Sequence, residues 1–156
     1  MNDLSDLVAP DAIVPRLGAN SRRQALQAIA ETLAKSAGID PRAAFEAVLM
    51  RERLSGTGMG EGVAIPHAQL PGLKRAVGAF ARLEPAQQFD AMDGRPADLV
   101  FMLLTPTGKG GDHLKALARV SRFMRRADMR ERLRGARGAD ELRALFASPP
   151  PKSDAA

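Results

Sequence analysis

The chain has 156 residues, a formal net charge of +5 and no cysteine. Its length suffices for one domain with a substantial buried core, and the lack of cysteine excludes disulfides, thiolate nucleophiles and cysteine-ligated zinc from this sequence. No apolar run approaches the roughly 20 residues that span a bilayer, and the first six residues do not resemble a secretory leader. We therefore expect a single cytoplasmic domain over residues 1–147 without membrane insertion, followed by a disordered tail over 148–156 that has little to bury.

Two helices are predicted in the first third of the chain. Ser21 and Gln24 form a capping box, apolar residues follow at helical spacing, and Gly38 ends the helix. Asp40 is placed to cap a second helix, with a proline at its first position, that continues to about Arg53. The buried stripe of this second helix is predicted to consist of Phe45, Val48 and Leu49.

The middle of the chain predicts strands. Glycine alternates with other residues from Gly56 to Gly62, which excludes a stable helix and indicates a loop running into a short strand at 63–65. A strand is also predicted over 76–83. Asp93-Gly94 is a turn signal between antiparallel segments. The unbroken apolar run at 99–104 is typical of a central strand that is covered on both faces.

Helices are predicted again in the last third. Asp112 is placed to cap one helix, and Asp128 and Asp140 to start two shorter ones. The apolar side of the first of these helices is predicted to comprise Leu114, Leu117, Ala118, Ser121 and Met124. The order of helices, then strands, then helices predicts an α/β fold in which a mixed β-sheet is flanked by helices on its faces.

Seven arginines lie between Arg122 and Arg137. A basic segment can bind nucleic acid, but tryptophan and tyrosine are absent and only Phe123 lies among these arginines, so base stacking has little support. A solvated helical face or a protein-docking patch is favoured, and we do not expect nucleic acid as a partner.

The chain has two histidines, of which His67 stands in the more suggestive position. It follows Pro66 directly after the glycine-rich loop, whose backbone N–H groups can cradle an anion. A neutral imidazole is a nucleophile near pH 7, although a single histidine at a strand end is also a common structural or surface residue. The glycines match neither the Walker loop nor the dinucleotide fingerprint, so no cofactor and no metal are expected.

A longer pattern surrounds His67. The residues from Arg51 to His67 are RERLSGTGMGEGVAIPH, residues 89–93 are FDAMD, and Asp98-Leu99 and the helix at His113 follow. This pattern resembles the active-site signature of enzyme IIA proteins of the bacterial phosphoenolpyruvate-dependent phosphotransferase system. The match is to the fructose/mannitol class, and most to its nitrogen-regulatory branch. The resemblance covers about residues 5–147 and implies the enzyme IIA fold of that class.

The resemblance implies specific roles. His67 would accept a phosphoryl group from an HPr-like phosphocarrier, and Arg51, 16 residues before it, would bind phosphate. His113, 46 residues after His67, would stabilise the phosphoryl group or orient His67. A backbone carbonyl is the expected partner of the second ring nitrogen of His67. Further phosphate-site residues are expected in the glycine-rich loop, namely Thr57, Gly58 and Glu61.

Other interpretations remain open for these residues. Arg51 also fits a cation at a helix C-terminus, and Thr57 a loop hydroxyl. Glu52 fits a surface ion pair better than a catalytic base. Glu61 is either solvated or equivalent to the acidic residue that sugar-specific members often carry near the site.

Three functions are therefore compatible with the sequence. The first is a phosphocarrier that regulates partner proteins, such as a transporter or a sensor kinase. The second is a sugar-specific IIA component that passes phosphate to a IIB transport domain, which Glu61 slightly favours. The third is a non-catalytic binding module that uses its arginine-rich surface.

Overall fold

A computed structural model describes residues 4–108 and 110–147. The predicted disordered tail at 148–156 lies outside the described residues. The strands are β1 (Val8–Leu17), β2 (Gly58–Gly60), β3 (Val63–Ala64), β4 (His67–Leu70), β5 (Val77–Gln87) and β6 (Ala97–Pro106). The helices are α1 (Arg22–Ala37), α2 (Pro41–Leu54), α3 (Gly110–Arg125), α4 (Ala127–Gly135) and α5 (Ala139–Phe146). In this part of the chain, no helix is long and apolar enough to cross a bilayer.

The strands form one mixed sheet. Its order is β1-β5-β6-β3-β2. Strand β4 pairs with the same side of β6 as β3 does, but nearer the C-terminal end of β6. The β1–β5, β3–β6 and β4–β6 pairs are parallel, whereas β5–β6 and β2–β3 are antiparallel. The predicted α/β fold with a mixed sheet flanked by helices is confirmed, and so is the antiparallel arrangement around the Asp93-Gly94 turn.

Strand β6 separates two apolar layers. Its residues alternate between them, because successive side chains of a strand point to opposite faces. Val100, Met102 and Leu104 pack in the cluster that contains the buried residues of α1 and α2. Leu99, Phe101 and Leu103 pack in the cluster of α3, α4 and α5. The prediction of a central strand covered on both faces is confirmed, and the fold has three layers.

The first two helices form where the sequence predicts them. Ser21 Oγ accepts a hydrogen bond from the Gln24 N–H, and Gly38 ends α1 in the left-handed conformation. Asp40 caps α2 through the Arg42 N–H. The predicted stripe of α2 is only partly right. Val48 is buried, but Phe45 and Leu49 are half-buried.

Strand β1 was not predicted. It precedes α1, so the predicted order in which helices come first is wrong. Pro10 and Pro15 interrupt its apolar pattern, and they are tolerated because β1 pairs with β5 along one side only. The glycine-rich segment also contains the short strand β2, and β3 ends at Ala64, so that His67 begins the separate strand β4.

The three helices predicted in the last third are confirmed, but their predicted caps are wrong. Helix α3 starts at Gly110, and Asp112 lies in its first turn. Arg126 and Gly138 occupy the N-cap positions of α4 and α5, which places Asp128 and Asp140 inside the first turns, where a carboxylate still interacts favourably with the helix dipole. The predicted apolar side of α3 is right at Met124, partly right at Leu117, which is half-buried against the same layer, and wrong at Leu114, Ala118 and Ser121. The buried residues of α3 are Ala116, Val120, Phe123 and Met124.

The arginine-rich segment is used largely within the fold. Arg126 pairs with Asp128, Arg130 donates to the carbonyl groups of Met124 and Arg125, Arg134 pairs with Asp98, and Arg137 pairs with Glu141. Four of the seven arginines therefore have acceptors in the same chain, which agrees with a structured helical face.

A test of the packing at the sheet centre uses Gly78 of β5. A Cβ at this position would lie 2.7 Å from Phe101 Cζ and 3.2 Å from the Met102 carbonyl oxygen, both in the neighbouring strand. We expect Gly78→Ala to lower the free energy of unfolding by about 1–3 kcal/mol, because overpacking forces rotamer or backbone shifts. Urea unfolding measures this. Gly135→Ala is the control, since a Cβ there meets no atom within 4 Å. Equal stability of the two variants would contradict the prediction.

Candidate functional site

His67 is held by its own strand entry. It is the first residue of β4, in register with Leu103 of β6. Its Nδ1 lies 2.6 Å from the carbonyl oxygen of Ile65. A carbonyl oxygen can only accept a hydrogen bond, so Nδ1 carries the proton and Nε2 carries the lone pair. The expected backbone-carbonyl partner is thereby confirmed.

His113 lies beside His67. It belongs to the first turn of α3, and the two ring centroids are 5.6 Å apart with the planes tilted by 46°. The Nδ1 of His113 lies 2.5 Å from the hydroxyl oxygen of Thr105. Thr105 is fully buried near the end of β6 and orients this ring. Sequence reasoning missed Thr105; the available signal was a polar residue closing an otherwise apolar buried run.

Both imidazoles are biased towards the neutral form. Burial lowers the pKa of His67 below its ordinary value of 6.5, and the charges of Arg51 and His113 lower it further, against the opposing effect of the Ile65 carbonyl. Burial, followed by the Arg51 charge, lowers the pKa of His113. The unfolded chain therefore binds more protons just below pH 6.5, so these histidines reduce stability as the pH falls through that range.

Arg51 lies in the last turn of α2, and its charge acts on both histidines. Its Nη1 donates to the Ser55 carbonyl at 2.8 Å, which is the only side-chain hydrogen bond that Arg51 makes within residues 4–108 and 110–147. Arg51 thus closes the helix C-terminus, as its alternative interpretation predicted, and still has guanidinium donors for an anion. The structure brings His67 and His113 together and places Arg51 where its charge lowers the pKa of both.

The influence of Arg51 on the two rings can be measured directly. We expect Arg51→Gln to raise the pKa of both His67 and His113, because it removes a positive charge that disfavours imidazolium. Titration of the histidine ring protons by NMR gives both values. Arg53→Gln is the matched control, since Arg53 is an exposed residue of the same helical turn. Unchanged titration of both histidines in Arg51→Gln would contradict the proximity of this charge.

Thr57 and Glu52 form a buried pair behind this site. The Thr57 hydroxyl donates to Glu52 Oε1 at 2.6 Å, and the Thr57 N–H donates to Oε2 at 2.9 Å. Both donors that were expected to face phosphate are therefore engaged by a carboxylate. The prediction that Glu52 pairs with a basic residue is confirmed, because Arg22 Nη1 lies 3.5 Å from its Oε2. Its predicted surface location is wrong, because the Glu52 side chain is only 3% exposed.

Gly58 and Glu61 lie on the β2–β3 hairpin. The Gly58 N–H donates to the Phe89 carbonyl, and a Cβ there would approach that oxygen to 2.8 Å, so the glycine allows close backbone packing. The N–H of Glu61 donates to Asp93. Strand β3 pairs with β6 at Leu99, four residues before the partner of His67, which is about 13 Å along the strand. The structure does not bring Glu61 to the two histidines.

The fold and the site together define a class of protein: a three-layer α/β protein in which an imidazole with a free Nε2 lone pair lies beside a second imidazole, within the influence of a guanidinium charge. Among the residues described, no group of histidine and carboxylate side chains is arranged to hold a metal ion. Residues 6–148 match the family described as phosphoenolpyruvate-dependent sugar phosphotransferase system, EIIA 2, and the chain belongs to this family. The protein is thus a phosphotransfer component.

Relatives of this family extend over nearly the whole chain. A nitrogen regulatory protein of Bradyrhizobium diazoefficiens is 50% identical over 147 residues, which cover 94% of this chain and 96% of the relative. A nitrogen regulatory protein of Escherichia coli K12 is 39% identical over 140 residues, covering 89% and 86%. The crystal structure of the nitrogen regulatory protein IIA-Ntr from Neisseria meningitidis superposes with a TM-score of 0.84 at 33% identity, covering 92% of this chain and 98% of that one.

Proposed function

We propose that the protein is a regulatory phosphocarrier that accepts a phosphoryl group on Nε2 of His67 from an HPr-like protein. The observation that carries this proposal is the hydrogen bond from Nδ1 to the Ile65 carbonyl, which leaves the Nε2 lone pair available. The lowered pKa of His67 keeps this lone pair unprotonated near neutral pH. Membership in the EIIA 2 family supports the same chemistry.

The transfer is a displacement at phosphorus. The Nε2 lone pair of His67 forms the new P–N bond while the P–N bond to the donor's phosphohistidine breaks, and the electron pair of that bond returns to the donor ring. Nδ1 of His67 keeps its proton through the Ile65 contact, so the phosphorylated ring is positively charged and a good leaving group in the next transfer. The ring thereby acts as a relay.

Arg51 and His113 stabilise the group in transit. The equatorial oxygens of a transferred phosphoryl carry most of the negative charge, and a guanidinium binds two of them through parallel hydrogen bonds. In this role the Thr105 hydroxyl, which lies 2.5 Å from Nδ1 of His113, donates to that nitrogen, so that the imidazole proton lies on Nε2. From there His113 donates to the phosphoryl group. These roles follow the proximity of the two rings and of the Arg51 charge.

Exposed apolar side chains support a protein donor. Met50, Leu54 and Leu114 are 69%, 81% and 66% exposed, and they directly adjoin Arg51, Ser55 and His113 in the chain. Protein interfaces combine an apolar core with polar and charged groups at the rim, and these three side chains would contribute to the apolar part. The regulatory role is proposed from the names of the relatives, which are nitrogen regulatory proteins, and the regulated partners would recognise the phosphorylation state of His67.

The structure does not support the residue that favoured the sugar-transport alternative, Glu61. Glu61 was the sequence feature that suggested a sugar-specific member, and it lies on the hairpin that pairs with Leu99 rather than beside His67. Onward transfer to a IIB domain remains a measurable outcome of the experiment below.

Phosphorylation with a defined donor tests the proposal. The protein is incubated with phosphoenolpyruvate, enzyme I and the HPr-like carrier, and the modified residue is located by mass spectrometry under alkaline conditions and by ³¹P NMR. We expect one phosphoryl group per chain, on Nε2 of His67. A phosphoryl group on Nδ1 of His67, on His113, or on neither histidine would contradict it. Rapid transfer to an added IIB domain would indicate the sugar-transport role.

A further inference from the structure

We infer that Glu52 is a positioning residue that fixes the tautomer and orientation of His67 through Thr57 and Ile65. This inference rests on the proposed function, because it concerns the nitrogen that accepts phosphate. The starting observation is a buried carboxylate that has no role in the phosphoryl-transfer mechanism described above. Glu52 is 4% exposed and directly follows Arg51 in α2.

Glu52 is bonded to the residue that starts the glycine-rich hairpin. Its two carboxylate oxygens accept the hydroxyl and the N–H of Thr57, at 2.6 and 2.9 Å. Thr57 is itself only 7% exposed. Hydrogen bonds to an ionised, buried acceptor are short and strong, and a buried carboxylate that loses its donors is costly. Glu52 therefore holds the backbone of Thr57 in one place.

The contact continues from Thr57 to His67 through the backbone. The carbonyl oxygen of Thr57 accepts the N–H of Ile65 at 3.1 Å, which closes the open end of the β2–β3 hairpin. The carbonyl oxygen of the same Ile65 then accepts Nδ1–H of His67 at 2.6 Å. An unbroken series of hydrogen bonds thus runs from the Glu52 carboxylate to the ring nitrogen that sets the tautomer.

Glu52 also has a contact with helix α1, through Arg22. Arg22, at the start of α1, lies 3.5 Å from Glu52 Oε2 and 2.8 Å from Asp90 Oδ2 in the loop between β5 and β6. Gly58, the residue after Thr57, donates to the Phe89 carbonyl in that same loop. Glu52, Arg22 and Gly58 therefore connect α1, α2, the hairpin and this loop, which restrains the hairpin.

Orientation of the Ile65 carbonyl controls the chemistry of His67. If the carbonyl turns away, Nδ1 loses its acceptor and the proton distributes between the two ring nitrogens. The fraction of rings with a lone pair on Nε2 then falls, and the ring no longer points at the donor in one direction. Loss of precise alignment at a reacting centre reduces the rate without weakening partner binding.

Glu52→Gln tests the inference, with Glu46→Gln as the matched control. Glu46 is an exposed glutamate of the same helix. Imidazole ¹⁵N NMR reports the tautomer of His67 without any donor, and single-turnover kinetics with the phosphorylated HPr-like carrier report the transfer rate and the donor concentration for half-maximal rate. For Glu52→Gln we expect a mixture of tautomers, a transfer rate lower by about 10- to 100-fold, and an unchanged half-maximal donor concentration. Glu46→Gln is expected to match the wild type in all three.

Thr57 provides a second pair of variants that does not depend on the folding of Glu52→Gln. Thr57→Val removes the hydroxyl at nearly constant shape and is expected to move the tautomer and the rate in the same direction, whereas Thr57→Ser restores both. A folded Glu52→Gln or Thr57→Val protein with the wild-type tautomer and rate would overturn the inference. Failure of the proposed function has a different signature: the wild type would then accept no phosphate, while the NMR result would still decide the positioning role.

Discussion

Replacement of His67 by alanine is expected to abolish phosphoryl acceptance. The variant lacks the proposed nucleophile. In the proposed tautomer of His113, Nε2 carries the proton and Nδ1 accepts from Thr105, so this ring does not take its place. Loss of a covalent nucleophile typically lowers a rate by about 10³-fold or more. Intact-mass measurement after incubation with the phosphorylated carrier records the added phosphoryl group. Acid-labile phosphate at the wild-type level in His67→Ala would contradict the assignment of this residue.

His113→Ala is the matched comparison for that experiment. It removes the other imidazole of the pair but leaves the His67 nucleophile and its Ile65 partner in place. We expect slower transfer, by about 10²-fold, since stabilisation by a positioned imidazole typically contributes about that much, and full phosphorylation at long times. Complete inactivity of His113→Ala, with the fold intact, would contradict a merely stabilising role and would mean that phosphoryl acceptance requires both histidines.

The largest effect on stability is expected at Phe146, the last residue of α5. Its ring is 1% exposed and lies 5.0, 5.2 and 5.8 Å from the ring centroids of Phe80, Phe123 and Phe101. Phe146→Ala leaves a cavity among these rings, and we expect the free energy of unfolding to fall by about 3–5 kcal/mol. The change is measured by urea unfolding monitored by circular dichroism.

Phe45→Ala provides the control for the same change of residue type. Phe45 is a half-buried residue of α2 at the border of the apolar layer, and Arg23 lies over its ring at 5.2 Å. Its removal exposes little of the core, so the loss of stability should be clearly smaller. A Phe146→Ala protein as stable as Phe45→Ala would show that the aromatic cluster beneath α5 relaxes to fill the space.

Local signals account for the parts of the fold that the sequence predicted. Helix ends depend on interactions within a few residues, as at the caps Ser21 and Asp40 and at the left-handed Gly38. Strand β6 was predicted because its whole apolar run is buried. Edge strand β1 has no such signal. Its prolines obscure the strand pattern, and its pairing with β5 joins residues about 70 positions apart.

The candidate site also has features that local sequence signals predicted and features that only the tertiary structure showed. The order of residues from Arg51 to His67 and the position of His113 were sufficient to predict the residues that the fold brings together, because that motif is contiguous and specific. The backbone-carbonyl partner of His67 was also foreseen. Only the tertiary structure identified that partner as Ile65, found Thr105 behind His113, buried Glu52, and separated Glu61 from the two rings.

The physical reason is the range of the interactions. A motif indicates which side chains are available for the chemistry. The sequence by itself was therefore enough to select the imidazole of His67, the guanidinium of Arg51 and their spacing along the chain. Which hydrogen-bond partner each polar group obtains depends on segments that meet only when the sheet and both helical layers have assembled. For this protein, the sequence indicated His67 as the candidate phosphoryl acceptor, and the tertiary structure decided which nitrogen of its ring has the free lone pair.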